Sequence, residues 1–223
     1  MNSINGYSRL ALTAALLFAL LPAGSALAQA LPDSITVGTV SGSGTVDVPV
    51  YIRDVAGTPL GIDQPVGSRI QSYSIKVDYA SAANVSGITF TRAGITTALT
   101  PAFESSPSAA GTISLLDNFV EATNLIPFVS NAAAPGNQVA HLLVTIPPAV
   151  PPGTVITLTL DPTLTQLTNQ GGTTQETTGN GSLALVNGSI TVTAAGPPIP
   201  TLSYLGLALL AISLGFIAVR LLK

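Results

Sequence analysis

The chain of 223 residues contains no cysteine and no tryptophan, and charged residues make up only 8% of it. The lack of cysteine excludes disulfide bonds, a thiolate nucleophile, a cysteine-ligated metal and a lipid anchor on cysteine. Only seven residues are basic and they form no cluster, so the chain offers no electrostatic footprint for nucleic acid. An apolar core must therefore supply the stability, and we expect no nucleic-acid partner.

All ten acidic residues fall within residues 31–195, where only four residues are basic. Four positive and ten negative side chains give this stretch a formal charge of −6, which also argues against anionic lipid as its ligand. Its length suits one sizeable domain and is short for two. Residues 31–195 are therefore expected to form one acidic domain.

The N-terminal segment, residues 1–30, has the pattern of a secretory signal peptide. Arg9 and the α-amino group give a thin positive region, and residues 10–21 form an apolar stretch. Two small-x-small sequences, which end at Ala28 and Ala30, offer cleavage sites. Because the apolar stretch is too short to span a bilayer comfortably, we expect it to be cleaved and the protein to be exported.

The C-terminal segment, residues 202–223, predicts a transmembrane helix. The run from Leu202 to Val219 has no charged residue and would span about 27 Å as a helix, close to the hydrocarbon thickness of a bilayer. Arg220 and Lys223 follow it and favour a cytoplasmic C-terminus by the positive-inside rule. A buried core helix, the alternative, would need a polar stripe that this run lacks. We expect an anchor in the inner membrane.

A proline-rich linker, residues 196–201, leads into this helix and contains the start of a short motif. The motif residues are Ile199, Pro200, Thr201, Leu202, Ser203 and Gly206. With the apolar helix and basic end, this motif resembles the IPTL-type C-terminal sorting signal of Gram-negative bacteria, a relative of the PEP-type signals. Family members usually carry an acidic residue and tryptophan where this chain has Tyr204 and Leu205. A plain anchor behind a proline-rich linker is the alternative.

The resemblance implies a sequence of events at the membrane. An exosortase-like enzyme would recognise the sorting motif while the helix holds the domain at the inner membrane. The processed protein would then reach the cell envelope, the cell surface or the medium.

The domain between the two ends predicts strands, because Thr, Val, Ser, Ile and Gly are abundant and helical periodicity is almost absent. Apolar and polar residues alternate clearly in residues 45–53, 72–79, 140–146 and 155–160. Further strands are expected at 86–91, near 103, and at 111–116, 183–186 and 189–193. Residues 56–68 and 164–181 have the composition of loops.

Two local signals in these strands predict specific geometry. Pro49, on the outer face of its strand, predicts an edge strand or a bulge because proline lacks the amide of a ladder. Asn187-Gly188 between two apolar runs predicts a tight hairpin. Some eight or nine short strands in all predict a β-sandwich.

The order of these segments resembles a cohesin-like domain. The segments that carry the resemblance are 44–50, 70–79, 113–118 with its final Asp-Asn pair, the turn 152–154, and 187–192. Family members usually place Asp and later Leu after the strand that ends at Tyr79, whereas this chain has Ala80 and Asn84. The resemblance implies an all-β jelly-roll sandwich, related to some carbohydrate-binding modules. It also implies a protein partner bound through a sheet face, on another molecule since the chain has no dockerin-like repeat.

Few residues suggest chemistry. His141 falls on the polar face of its strand, which favours a structural or solvated side chain. Asp117 and Glu121 are the best available pair for hydrolysis by two carboxylates, and with Asn118 they also offer oxygen ligands for calcium. Acids at a strand end and in a loop are ordinary, and the spacing matches no calcium-loop pattern. We therefore predict no catalytic residue, no metal and no cofactor.

Three functional hypotheses remain. The first is an exported, surface-directed, non-enzymatic binding or structural protein with a protein or polysaccharide ligand. The second is a carbohydrate-binding module with an aromatic platform, for which Tyr51 is the best candidate because it alternates with inward valines. Its other candidate rings are Tyr73, Tyr79, Phe103, Phe119 and Phe128. The third, and least favoured, is a hydrolase of envelope polysaccharide.

Overall fold

The computed structural model describes residues 31–80 and 82–194, and the structural statements below concern these residues. The expected signal peptide, the sorting motif and the apolar C-terminal run lie outside them, so those expectations stay predictions. Within the described residues, no helix is long and apolar enough to cross a membrane.

Strands dominate the regular structure of the described residues, as the abundance of β-branched side chains predicts. They are β1 Asp33–Val37, β2 Thr39–Gly42, β3 Thr45–Arg53, β4 Ser72–Tyr79, β5 Gly87–Arg92, β6 Phe103–Ser105, β7 Ser108–Ala109, β8 Thr112–Asn118, β9 Asn137–Thr145, β10 Val155–Leu160, β11 Gln166–Thr168, β12 Gln175–Glu176, β13 Leu183–Val186 and β14 Gly188–Val192. Two 3-10 turns span Ala82–Asn84 and Gly94–Thr96. The number of strands exceeds the expected eight or nine because several are too short for alternation to reveal them.

The strands form two sheets that enclose one core. The smaller sheet has the order β13–β1–β3–β9–β5. In the larger sheet β8 pairs with one side of β4, and β6 and β7 lie beyond β8. The other side of β4 pairs with both β10 and β11. From β10 the sheet continues through β14 to β2, and from β11 it continues to β12. The predicted all-β sandwich is confirmed.

The inward faces of the long strands build the interior, as the alternation predicts. Buried residues of these strands include Val46, Val48, Val50, Ile52, Ile75, Val77, Ala140, Leu142, Val144, Ile156, Leu158 and Leu160. Removing a branched aliphatic side chain from water contributes about 1.5–3 kcal/mol. This layer therefore supplies the stability that the lack of cysteine leaves to the core.

The chain crosses from the smaller to the larger sheet at two adjacent places. β1 continues through Gly38 as β2, and β13 continues through Asn187 as β14. A Cβ on Gly188 would lie 2.2 Å from the carbonyl oxygen of Gly38, so the two backbones are in close contact at the crossing. Asn187 Oδ1 accepts a hydrogen bond of 2.9 Å from the amide of Leu160, which holds this crossing against β10.

The hairpin predicted at Asn187-Gly188 is therefore wrong. β13 pairs in parallel with β1, whereas β14 pairs antiparallel with β10 and parallel with β2. An Asn-Gly pair often forms a two-residue turn because both residues tolerate a positive φ. Here Gly188 allows the backbone to pass close to that of Gly38, and the Asn187 side chain accepts a hydrogen bond from Leu160.

Pro49 lies on an interior strand, so the prediction of an edge strand is wrong. β3 pairs with β1 on one side and β9 on the other, and the alternative prediction of a bulge is confirmed by a register shift between Val50 and Tyr51. The Pro49 carbonyl accepts a hydrogen bond of 2.8 Å from the amide of Gly38. The proline thus stands beside the bulge in the β9 ladder and just beyond the end of the β1 ladder.

Several predicted boundaries also need correction. The segment 164–181, predicted as a loop, contributes β11 and β12 to the larger sheet. β8 extends two residues beyond its predicted end, through Asp117 to Asn118. The segment 119–136 has no readable pattern and forms no strand, yet it places Phe119, Ile126 and Phe128 in the core.

Candidate functional site on the outer face of the larger sheet

The outer face of the larger sheet carries mainly small polar side chains. Their inward neighbours fill the core, and successive side chains of a strand point to opposite faces, so these residues point outward. The outward residues include Ser72, Ser74, Thr112, Ser114, Asn118, Thr157, Thr159 and Gln166. This face is therefore rich in hydrogen-bonding groups and poor in charge.

A shallow depression of about 260 Å³ lies where β4, β8 and β11 meet on this face. Phe103, on the edge strand β6, lines it and has 55% of its surface exposed. Leu116 lines the same depression, together with polar groups of Ser72, Ser74, Asn118, Gln166 and Thr168. Exposed aromatic side chains that border a concave surface are frequent anchors of protein contacts. The depression with Phe103 is the most distinctive feature of this face.

Further along β4, one lysine lies between two carboxylates. Lys76 Nζ is 2.9 Å from Asp161 Oδ2 and 3.6 Å from Asp78 Oδ1. The hydrogen bonds from Lys76 and Thr163 hold the pKa of Asp161 below its usual range. Lys76 thus compensates the charge of the carboxylates on either side of it.

Beneath the depression, Asp117 points from β8 into the sandwich and is only 1% exposed. Arg92, at the end of β5, places Nε 4.0 Å from Asp117 Oδ1 and 3.2 Å from Glu104 Oε1. Burial raises the pKa of Asp117 to about 6 and Glu104 adds to the rise, while the Tyr73 hydroxyl and Arg92 oppose it. At neutral pH the buried carboxylate is therefore stabilised by the Tyr73 hydroxyl and by the positive charge of Arg92.

Arg92 also connects the edges of the two sheets. Its Nη1 donates hydrogen bonds of 2.8 and 2.9 Å to the carbonyl oxygens of Thr96 and Leu99, and its guanidinium lies 6.0 Å from the centre of the Phe119 ring. Glu104, its other partner, directly follows Phe103 in β6. The arginine therefore holds in place the edge strand that presents Phe103.

No sequence motif marks Arg92 or Glu104 as part of this site, or predicts the inward position of Asp117. The available signal was weak: Asp117 is in phase with the inward residues Ile113 and Leu115 of the same strand. Its arginine partner is distant in sequence, so no local pattern joins the two.

The two outer-face residues that the sequence singled out lie on the smaller sheet. Tyr51 points to the outer face of β3 and is half-buried, as its alternation predicts, and its role as a ligand contact stays a prediction. His141 also lies on the outer face, with Nδ1 3.0 Å from Asp47 Oδ2. Neither residue borders the depression on the larger sheet.

Most of the rings proposed for a carbohydrate platform are not at the surface. Tyr73, Tyr79, Phe119 and Phe128 are each at most 7% exposed, because they occupy inward positions of strands or core positions of the segment after β8. Phe103 and half-buried Tyr51 are what remains of that set, and they lie on opposite sheets. They cannot form one platform.

The acids considered for hydrolysis or calcium binding have different neighbours. Asp117 points inward towards Arg92, whereas Glu121 lies 3.7 Å from Arg69 and accepts a hydrogen bond of 2.8 Å from the amide of Gly67. Asn118 points outward and donates to the carbonyl oxygen of Gln170. The hydrolase hypothesis thereby loses its best pair, and the calcium hypothesis for these three residues loses its common centre.

No protein-family model and no curated protein sequence matches this chain. Solved structures do match it. The third cohesin of ScaC from Acetivibrio cellulolyticus, solved in complex with the ScaB dockerin, shares 16% identity over 73% of this chain and 99% of its own, with a TM-score of 0.53. The solution structure of CaCohA2 from Clostridium acetobutylicum shares 21% identity over 75% and 95%, with a TM-score of 0.51.

A third match is the Coh-OlpA–Doc918 complex from Clostridium thermocellum, described as a type I cohesin–dockerin complex. It shares 12% identity over 72% of this chain and 99% of that one, with a TM-score of 0.51. At these identities the matches establish the fold. The described domain is an all-β sandwich with a cohesin-like fold.

Proposed function

We propose that this domain is a non-enzymatic module that binds a protein through the outer face of its larger sheet. The observation that carries the proposal is the exposed Phe103 ring beside the depression on a polar face. A ring anchored on a structured strand offers contact area at little entropic cost, and the surrounding hydroxyl and amide groups supply hydrogen bonds.

The chemistry of the face also indicates the kind of partner. Around the depression the lining residues are uncharged, apart from the inward-pointing Asp117. A partner therefore needs an apolar group to cover Phe103 and Leu116, and hydrogen-bonding groups for the serines and Gln166. The likeness of the fold to cohesins crystallised with dockerins supports a protein as that partner. It does not identify the partner.

Binding is expected to depend on Leu116 and not on the opposite sheet. Leu116→Arg introduces a bulky charge into the depression and should weaken partner binding at least about tenfold, a loss of about 1.4 kcal/mol. Thr89→Arg adds the same charge at an exposed position of β5, on the smaller sheet. This control variant should leave the affinity for the partner unchanged. The partner is first captured from the envelope fraction of the producing cell, with a photo-crosslinking residue in place of Ser74. The affinities of the variants are then measured with the purified partner.

Two results would contradict this proposal. One is an equal loss of affinity in the Leu116→Arg and Thr89→Arg variants, which would place the contact elsewhere. The other is retention of the domain on polysaccharide, with that retention insensitive to Leu116→Arg, which would favour the carbohydrate-binding alternative through another surface.

We further propose that the protein is exported, held at the inner membrane by residues 202–223, and sorted through its IPTL-like motif by an exosortase-like enzyme. The pattern of residues 1–30 and the motif from Ile199 to Gly206 support this proposal. The domain would then act at the envelope, the cell surface or outside the cell.

Mass spectrometry of the protein from its native cell tests this route. The mature N-terminus is expected directly after Ala28 or Ala30, and the mature C-terminus is expected to precede the basic pair Arg220 and Lys223. A mature protein that retains every residue up to Lys223 would show that the C-terminal segment is a permanent anchor and not a sorting signal.

A further inference from the structure

A second concave surface lies at the end of the sandwich where the chain leaves β14. It is a groove of about 270 Å³ between the turn after β2, the loop that joins β9 to β10, and the end of β14. Its floor consists of the buried aliphatic side chains of Ile146, Val150 and Val192. The residues that border this floor are uncharged, and three of them are prolines: Pro147, Pro148 and Pro152. The groove is therefore apolar and separate from the depression beside Phe103.

Backbone hydrogen bonds fix the three segments that form this groove. The amide of Ile146 donates to the carbonyl oxygen of Gly44 at 2.8 Å, and the amide of Gly153 donates to that of Val192 at 2.8 Å. The amide of Thr193 donates to the carbonyl oxygen of Gly42 at 2.9 Å. The groove is therefore formed before any ligand binds, so binding does not require its loops to be ordered first.

The chain itself brings an apolar segment to this groove. Thr193 lines the groove, and after it come residues 194–200, which carry no charge and include Pro197, Pro198, Ile199 and Pro200. Ile199 follows Thr193 by six residues, so even a fully extended chain keeps it within roughly 20 Å. A segment tethered this closely has an effective concentration on the order of millimolar or above. Weak complementarity therefore suffices to populate a docked state.

The composition of the segment suits the groove. Proline fixes its own φ and restricts the residue before it, so the sequence Pro197-Pro198-Ile199-Pro200 loses little conformational entropy when it binds. Its side chains are apolar like the floor and the proline walls, and docking removes no charged group of either surface from water. A second copy or another ligand would have to displace this tethered segment.

We propose that the groove binds residues 197–199 of its own chain, with the Ile199 side chain against the aliphatic floor. This contact would hold the domain close to the start of the C-terminal apolar run. One consequence rests on the proposed sorting route: Ile199 begins the IPTL-like motif, so the domain would shield its own motif until the segment leaves the groove. The docking itself does not depend on that route.

Disulfide formation tests the docking, because the chain has no cysteine and an introduced pair has no competitor. Ser43→Cys/Pro200→Cys joins a residue that lines the groove to the residue directly after Ile199. Ser41→Cys/Pro200→Cys is the matched control. Ser41 lies two residues earlier, is exposed, does not line the groove, and pairs with Thr191 beside the end of β14, so the tether reaches both positions.

The full chain in mild detergent is reduced and then oxidised with glutathione disulfide, and non-reducing electrophoresis and mass spectrometry follow the product. Ser43→Cys/Pro200→Cys should close at least about fivefold faster than the control pair. Simple access predicts the opposite order, because Ser43 is half-buried and Ser41 is exposed. Alkylation of Ser43→Cys and Ser41→Cys as single variants measures the reactivity of each thiol and corrects the two rates.

Ile199→Asp, added to both pairs, should make their rates equal because it places a charge on the apolar floor. Ala194→Asp adds the same charge at an exposed position outside the groove and should keep the preference. Equal rates without Ile199→Asp, or a preference that survives it, would overturn the proposal. Disulfide-linked dimers as the main product would also overturn it, and would assign the groove to a second copy. None of these outcomes bears on the binding face, tested with Leu116→Arg, or on processing, tested by the mass of the mature protein.

Discussion

Replacing Gly188 with alanine is expected to destabilise the domain by about 3 kcal/mol, the upper part of the range for overpacked sites. The new Cβ would lie 2.2 Å from the carbonyl oxygen of Gly38 and 2.7 Å from Val37, in space that backbone atoms already occupy. Backbone atoms at a crossing cannot rotate away as a flexible side chain can, so both crossings would have to separate. Urea unfolding of the full chain in mild detergent, followed by circular dichroism, measures this loss.

Gly171→Ala provides the matched control for this substitution. Gly171 has no positive φ, and a Cβ there would meet only the Thr173 methyl group at 3.9 Å. Its stability should change by less than about 0.5 kcal/mol. Equal effects of the two substitutions would show that the crossing is not closely packed.

Replacing Arg92 with methionine is expected to destabilise the domain by about 3 kcal/mol at pH 7.5, because it leaves the Asp117 carboxylate buried without its cation. The loss should be smaller at pH 5. The folded-state pKa of Asp117 is about 6 against an ordinary value of 3.8, so the folded state binds this proton more tightly. The stabilisation of the folded state by protonation of Asp117 is therefore complete below about pH 4, and it is lost as the pH rises through 6.

Removing Arg92 also removes an influence that lowers the pKa of Asp117, so in the variant this carboxyl should be protonated, and neutral, over a wider pH range. Arg92→Met/Asp117→Asn should consequently recover part of the stability lost at pH 7.5. The stability that is not recovered reflects the lost hydrogen bonds to Thr96 and Leu99 and the lost ion pair with Glu104. A loss in Arg92→Met that is the same at pH 5 and pH 7.5 would contradict the role of Asp117.

Much of the sandwich was predictable because period-two alternation reports which face of a strand is buried. The inward residues of β3, β4, β9 and β10 follow directly from it, and so does the outward position of Tyr51. Strand partners were not predictable in the same way. Asn187-Gly188 has the composition of a hairpin turn, but the space available beside Gly38 decides where the chain goes.

The candidate site was less predictable than the fold because its parts come from distant segments. Phe103 had no signal that distinguished it from Phe119, since both follow irregular segments, yet one is exposed and the other fully buried. The loop between β3 and β4 takes its shape from hydrogen bonds to Asp33 and Glu176, which lie elsewhere in the chain. Spacing alone does not describe such a loop.

The paired crossing also determines how the domain responds to mechanical force. β13 and β14 run parallel to β1 and β2, so the domain begins near Asp33 at one end of these strands and finishes near Val192 at the other. β14 is hydrogen-bonded on both sides, to β10 and β2. A pull applied beyond Thr193 acts along β14 and loads both of its ladders in shear at once, instead of peeling one bond at a time. A domain attached through its C-terminal end would therefore resist a pull directed along β14.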